Sequence, residues 1–134
     1  MAVAPAIKRV LLVDDEPLIL RVAQMSLQRS RTWEILLARS GQDALATAIQ
    51  ERPDIILLDA MMPGIDGLAT LRLLRRHPVS KVIPVVLFTA HPVAERAEEF
   101  RRHGAVGVLG KPFDPNTLAA QVEEIYARSL ARRT

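Results

Sequence analysis

"DIILLDAMMPGIDG", residues 54–67, decides how the rest of the chain is read. Residues 54–58 read as a strand, and Ile55, Ile56, Leu57 and Leu58 are apolar without alternation. Such a run marks a strand covered on both faces rather than one with a wet side. The run delivers a carboxylate, Asp59, where charge is costly unless it is paired. "AMMPGID" (60–66) then reads as a Pro/Gly loop, and a helical pattern starts at residue 67.

The same strand-then-helix alternation extends in both directions. Strands are expected at 6–13, 33–38, 54–58, 84–89 and 105–109, and helices at 17–30, 41–52, 67–77, 92–103 and 116–133. Five βα units with apolar strands imply an α/β fold whose parallel sheet is covered on both faces. The 134 residues suit a single domain over 1–134, with an ordered core from about 7 to 130 and no output domain in the chain. No repeat, low-complexity segment or internal linker interrupts the pattern.

Bulk composition narrows the function classes. Apolar residues make up 49% and charged residues 25%, a globular profile. There is no cysteine, which removes disulfide and thiolate-metal chemistry. No apolar run approaches the roughly 18 residues of a membrane span, and "MAVAPAIKRV" does not read as a signal peptide. A cytoplasmic protein with no membrane partner is expected. The net charge of +3 is too small to argue for nucleic acid. The arginines fall near helix C-termini, where a cation faces the helix dipole favourably. His77 and His103 sit in those arginine clusters and read as surface residues.

In a doubly wound sheet, ligands bind beyond the C-terminal ends of the strands. Those ends carry Asp14 and Asp15 after the first strand, Asp59 after the third, Thr89 at the fourth and Lys111 after the fifth. Singly, each has a bland reading: helix caps, a turn residue, a β-branched strand residue, a solvated lysine. Together, three carboxylates on one sheet edge would repel one another and need a cation. All-oxygen ligands suit a hard divalent ion, Mg²⁺ or Mn²⁺. Lys111 adds an ammonium and Thr89 a hydroxyl. This set could hold a phosphoryl group, with an ionised carboxylate as the nucleophile and no general base required.

On "LLVDDEP" (11–17), "DIILLDAMMPGIDG" (54–67), "PVVLFTA" (84–90) and "GKPF" (110–113), the chain resembles the receiver domain of two-component response regulators. The resemblance runs from Lys8 to about Leu130. It implies a flavodoxin-like, doubly wound (βα)₅ sandwich with a five-stranded parallel sheet of order 2-1-3-4-5. It implies Asp59 as phosphoacceptor, Asp15 as a direct Mg²⁺ ligand, Asp14 as a water-mediated one, and the Met61 backbone carbonyl as a further ligand. Thr89 and Lys111 would each hold a phosphoryl oxygen, and the bond between Lys111 and Pro112 would be cis. The donor would be a histidine kinase or histidine phosphotransfer protein, and the function a Mg²⁺-dependent switch that catalyses its own aspartyl phosphorylation and dephosphorylation. A receiver-like interaction module that works by binding alone is the alternative.

Further features depart from or add to that pattern. Receivers commonly carry an aromatic residue three positions before the lysine, where this chain has Val108. Met61 and His91, two residues past Asp59 and Thr89, would flank the phosphoryl site and influence its lifetime. Leu18, Val22 and Met25 recur at i, i+4 and i+7, a second apolar stripe beside Ile19, Leu20, Ala23 and Leu27, which suit the core. The stripe reads equally as a wide-faced core helix or as a dock for the phosphotransfer partner's four-helix bundle. The mixed charges of the last two helices read first as solvated faces with intrahelical pairs. A homodimer through the fourth helix, fifth strand and fifth helix is the other reading.

Overall fold

The computed structural model describes residues 6–62, 66–90 and 93–132, with the side chains of 93–96 left aside. Five strands, β1 (Arg9–Val13), β2 (Glu34–Ala38), β3 (Ile55–Asp59), β4 (Val85–Thr89) and β5 (Gly107–Gly110), alternate with five helices. The helices are α1 (Pro17–Ser30), α2 (Gly41–Glu51), α3 (Gly67–Arg76), α4 (Val93–Arg102) and α5 (Leu118–Ala131). All pairings are parallel and the order is β2-β1-β3-β4-β5, as expected.

Side-chain alternation along the strands sorts the core into two layers. Val10 and Leu12, Ile55 and Leu57, and Val86 and Phe88 face α1 and α5, where they meet Leu20, Leu27, Leu118 and Val122. Their neighbours Leu11 and Val13, Ile56 and Leu58, and Val85 and Leu87 face the other way, onto Ala44, Leu71, Leu74 and Phe100. Every residue of β3 and β4 is buried, which explains why neither strand alternates in hydropathy. Each such side chain contributes about 1.5–3 kcal/mol on leaving water.

Element boundaries differ from the sequence expectation in instructive ways. β1 starts at Arg9, although Ile7 is buried, because Asp54 takes the backbone N–H of Lys8 and Arg9. Asp59 is the last residue of β3 rather than the first of the loop, since it still pairs in register with Phe88. β5 begins at Gly107 instead of 105, and α5 at Leu118 instead of 116. Before α5, the Asp114 carbonyl accepts from the N–H of Thr117 and Leu118, forming a turn that delays the helix. A short 3₁₀ turn, Ser80–Val82, lies in a segment that carries no periodicity in sequence. Ser80 is buried there and donates to the Leu74 carbonyl.

Two helix starts follow from local chemistry. Ser40 caps α2 by accepting from the Asp43 N–H, and Asp66 caps α3 by accepting from the Ala69 N–H. Gly67 opens α3 against the exit of β3. A Cβ there would lie 2.5 Å from the Asp59 carbonyl oxygen and 2.6 Å from Ala60 Cα. Only a residue without a side chain lets the helix approach the strand end so closely.

Candidate functional site

Parallel register brings four strand ends to one edge. Val13 pairs with Leu58, Asp59 with Phe88, and Thr89 with Gly110. The sequence neighbours Asp14, Asp15 and Lys111 are thereby carried to the same place. Backbone bonds hold these exits: the Asp14 N–H donates to the Ala38 carbonyl, the Ala60 N–H to the Phe88 carbonyl, and the Lys111 N–H to the Thr89 carbonyl. The Lys111–Pro112 peptide bond is cis, as expected.

Asp14 and Asp59 are almost wholly buried, at 4% and 5% exposure, and Thr89 is buried beside them. One carboxylate oxygen from each of Asp14, Asp15 and Asp59 lies within 4.8 Å of the others. Lys111 spans the gap: its Nζ is 2.7 Å from Asp14 Oδ2 and 3.2 Å from Asp59 Oδ1. Further donors reach the acids from the backbone. The Met61 N–H donates to Asp59 Oδ1 at 3.1 Å, and the Glu16 N–H to Asp14 Oδ1 at 3.0 Å.

The electrostatics are those of an overloaded acidic site. Burial raises the Asp59 carboxyl above its ordinary range and the Asp14 charge adds to that, against the Met61 N–H and Lys111, which pull it down. Burial alone would lower the Lys111 ammonium, but its hydrogen bond to Asp14 and the charges of both acids outweigh that and raise it. One ammonium thus faces three carboxylates. A compact set of oxygen donors around an uncompensated negative charge fits a hard divalent cation, which would neutralise the acids without displacing the lysine. Asp14, Asp15 and Asp59 would supply the side-chain oxygens.

The remaining sequence expectations divide. Leu18, Val22 and Met25 are exposed, at 72%, 39% and 51%, so the second stripe is not core. Ile19 is a correction: it is half-buried rather than core, and Ser26 takes a buried position that hydropathy does not reveal. Ser26 Oγ donates to the Pro115 carbonyl at 2.6 Å, tying α1 to the loop after Lys111. The Met61 side chain is 56% exposed. His91 lies outside the described residues. Val108 is half-buried against the α2–α3–α4 layer, whereas the aromatic pair nearest Thr89 and Lys111 sits on the other face. There Phe88 and Phe113, each one or two residues from those side chains, place their ring centroids 6.0 Å apart. His77 Nδ1 accepts from the Val79 N–H, a local structural role.

The comparisons with known proteins point one way. The model of the response regulator receiver domain family matches residues 10–123. The alkaline phosphatase synthesis transcriptional regulatory protein PhoP of Bacillus subtilis is 35% identical over 127 residues, covering 91% of this chain and 50% of that protein. Protein PilH of Pseudomonas aeruginosa is 33% identical over 119 residues, covering 89% of this chain and 98% of PilH. The chain thus spans half the length of PhoP but nearly all of PilH. Among solved structures, the Vibrio cholerae chemotaxis protein CheY4 superposes with a TM-score of 0.82 at 32% identity, over 90% of this chain and 99% of CheY4.

Proposed function

This chain belongs to the response regulator receiver domain family, and on that premise we propose that it is a phosphoacceptor switch of a two-component or phosphorelay system, with Asp59 as the acceptor. The observation that carries the proposal is Lys111 bridging Asp14 and Asp59 while Asp15 completes a cluster of three acids. The donor is a phosphohistidine on a histidine kinase or phosphotransfer protein in the cytoplasm. An Asp59 carboxylate oxygen attacks phosphorus, forming the acyl phosphate as the P–N bond breaks. The bond pair stays on the leaving nitrogen, and the ring departs as neutral imidazole with its proton on the other nitrogen.

Mg²⁺, held by Asp14, Asp15, Asp59 and the Met61 carbonyl, would supply neutralisation of the acids and of the phosphoryl oxygens. The chain's own groups do the rest. Lys111 transfers its attraction from the Asp59 oxygen to a phosphoryl oxygen, moving little because it already lies between the acids. The buried Thr89 hydroxyl meets a second phosphoryl oxygen. Asp59 needs no general base, since in the presence of the cation it reacts as the anion. Incubation with acetyl phosphate and Mg²⁺ should add the mass of one phosphoryl group. Asp59→Asn should abolish that gain, and labelling that persists in the variant would overturn the assignment.

Val108 supports a second reading, an interaction module with little phosphorylation-driven change. It fills the position of the usual switch aromatic with a small side chain already packed against the core. Hydrogen–deuterium exchange with and without beryllofluoride separates the two. A change across α4 and β5 supports the switch; exchange that stays the same supports the module. The groove of α4, β5 and α5 mixes Arg101, Arg128 and Arg132 with Glu124, which would suit an isologous homodimer. Sedimentation with and without beryllofluoride tests it.

A further inference from the structure

Lys111 can bridge Asp14 and Asp59 only if the loop that carries it, "KPFDPNT" (111–117), keeps its place. At one end the Lys111 N–H donates to the Thr89 carbonyl at 2.8 Å. Pro112 and Pro115 have no N–H to offer. Asp114 bonds only within the loop and into α5, accepting from the N–H of Asn116 through its side chain and from those of Thr117 and Leu118 through its carbonyl. Those bonds shape the turn without placing it against the sheet.

Packing around the loop is open on two sides. An apolar cavity of about 20 Å³ lies behind it, lined by Asp14, Leu20, Ala23, Phe88, Lys111 and Phe113. A groove of about 370 Å³ runs along its outer side, past Ile19, Lys111, Phe113 and Pro115. Phe113 is only half-buried, with its ring 6.0 Å from that of Phe88. A side chain that borders two voids lacks the contacts that hold one in a close-packed core.

A hydrogen bond supplies what packing does not. Ser26 is one of four buried residues of α1, beside Leu20, Ala23 and Leu27. Its Oγ donates to the Pro115 carbonyl at 2.6 Å, across 89 residues of chain. A serine inside a helix commonly bonds a carbonyl of its own preceding turn, as Ser129 does with Tyr126 on α5. Ser26 reaches out of its helix instead. The contact closes a ring: Asp14 leads into α1, α1 carries Ser26, Ser26 holds Pro115, and Lys111 returns to Asp14 at 2.7 Å.

We propose that Ser26 is a positioning residue for phosphoryl transfer, whose hydroxyl braces the 111–117 loop on α1 and so keeps Lys111 Nζ between Asp14 and Asp59. The inference rests on the reading of Asp59 as phosphoacceptor. Ser26 touches no reacting atom and acts through the lysine.

The test compares Ser26→Ala, Ser26→Thr and Ser80→Ala in the full chain. Ser80 is the matched control: it is equally buried and donates to the Leu74 carbonyl at 2.7 Å, but it lies before the opposite end of β4. In chelator-treated buffer, Ser26→Ala should speed amide exchange at Lys111, Thr117 and Leu118 about fivefold, and Ser80→Ala should leave those amides unchanged. With acetyl phosphate and Mg²⁺, Ser26→Ala should label about tenfold more slowly, because a small misplacement of a reacting group costs rate steeply. The Mg²⁺ concentration for half the maximal rate should not rise, since the three acids stay in place. Ser26→Thr keeps the hydroxyl and should label within about twofold of the wild type. A Ser26→Thr rate as low as that of Ser26→Ala assigns the loss to packing and overturns the brace. So does an equal loss in Ser80→Ala. Undiminished labelling in Ser26→Ala, beside a wild type that labels, overturns the brace and leaves the Asp59 reading standing. A wild-type chain that takes no label overturns that reading and the brace with it.

Discussion

The two poles of the sheet treat charge in opposite ways. At the N-terminal pole, Arg9 is shared by Glu34 and Glu51, and its guanidinium also reaches the Glu51 carbonyl. Asp54 there accepts the backbone N–H of both Lys8 and Arg9, at 2.8 and 2.9 Å. Each charge has a complementary partner and much of the network touches water. At the C-terminal pole, three acids cluster together, and one ammonium pairs with the two of them, Asp14 and Asp59, that are almost fully buried. The first arrangement ties strands together. The second gathers unbalanced negative charge where the proposed cation and phosphoryl group would bind. The fold is stabilised at one end and held ready at the other.

The largest expected effect comes from breaking the geometry of the C-terminal pole. Gly67→Val would press a branched side chain into the Asp59 carbonyl and the Ala60 backbone. It should cost about 3 kcal/mol in urea denaturation, because backbone atoms cannot step aside as a flexible side chain can. An unchanged midpoint would mean that α3 does not depend on the close approach.

Asp54→Ala attacks the other pole. It strands two backbone N–H groups at the start of β1 and should cost about 2 kcal/mol. Acetyl phosphate labelling should be unchanged at temperatures where the variant is folded. Loss of labelling in the folded variant would show that the poles are not independent.

Asp59→Asn should act in the opposite direction and stabilise the chain by about 1 kcal/mol at neutral pH in chelator-treated buffer. The Asp59 carboxyl is raised in the folded state. The folded chain therefore holds this proton more tightly than the unfolded chain does. That contribution to stability is complete below the unfolded value and is lost as pH rises through the folded one. The advantage of the variant should accordingly shrink as pH falls through the carboxylate range. A gap that widens on acidification would contradict the sign. Lys111 remains charged throughout, since it is itself raised.

The smallest effect belongs to an exposed pair. Arg31 lies 2.7 Å from Glu123 and lowers its carboxyl, so the pair contributes above the carboxylate range and fades as pH falls. Glu123→Gln should cost only about 0.3 kcal/mol by thermal denaturation. A loss several times larger would place this surface contact in the class of the Asp54 network.

Much of the active pole was legible in the chain because its parts follow directly after apolar runs. Asp14, Asp59, Thr89 and Lys111 each stand at or beside a strand end, and strand ends are visible in hydropathy. The exposed stripe on α1 was legible as an excess of apolar residues but not as exposed, because burial depends on what packs opposite. Asp54 read only as the first residue of a strand, since its partners are 45 and 46 residues away. Arg75 gave no signal at all, yet it donates to the carbonyls of Lys81, Ile83 and Gly104 and pins α3 to two distant segments. The constraint on Gly67 was likewise invisible, because it arises from the backbone of residues 59 and 60 rather than from any property of its own turn.

By itself the sequence determined the number and order of βα units, the acids and lysine at their ends, and the apolar stripe, because hydropathy period and chain punctuation are local properties. Only tertiary structure decided that Lys111 bridges Asp14 and Asp59 and that Asp59 is buried enough to be raised. Those outcomes depend on register between strands far apart in the chain. A shift of one residue turns a strand's side chains to the opposite face and would disperse the cluster.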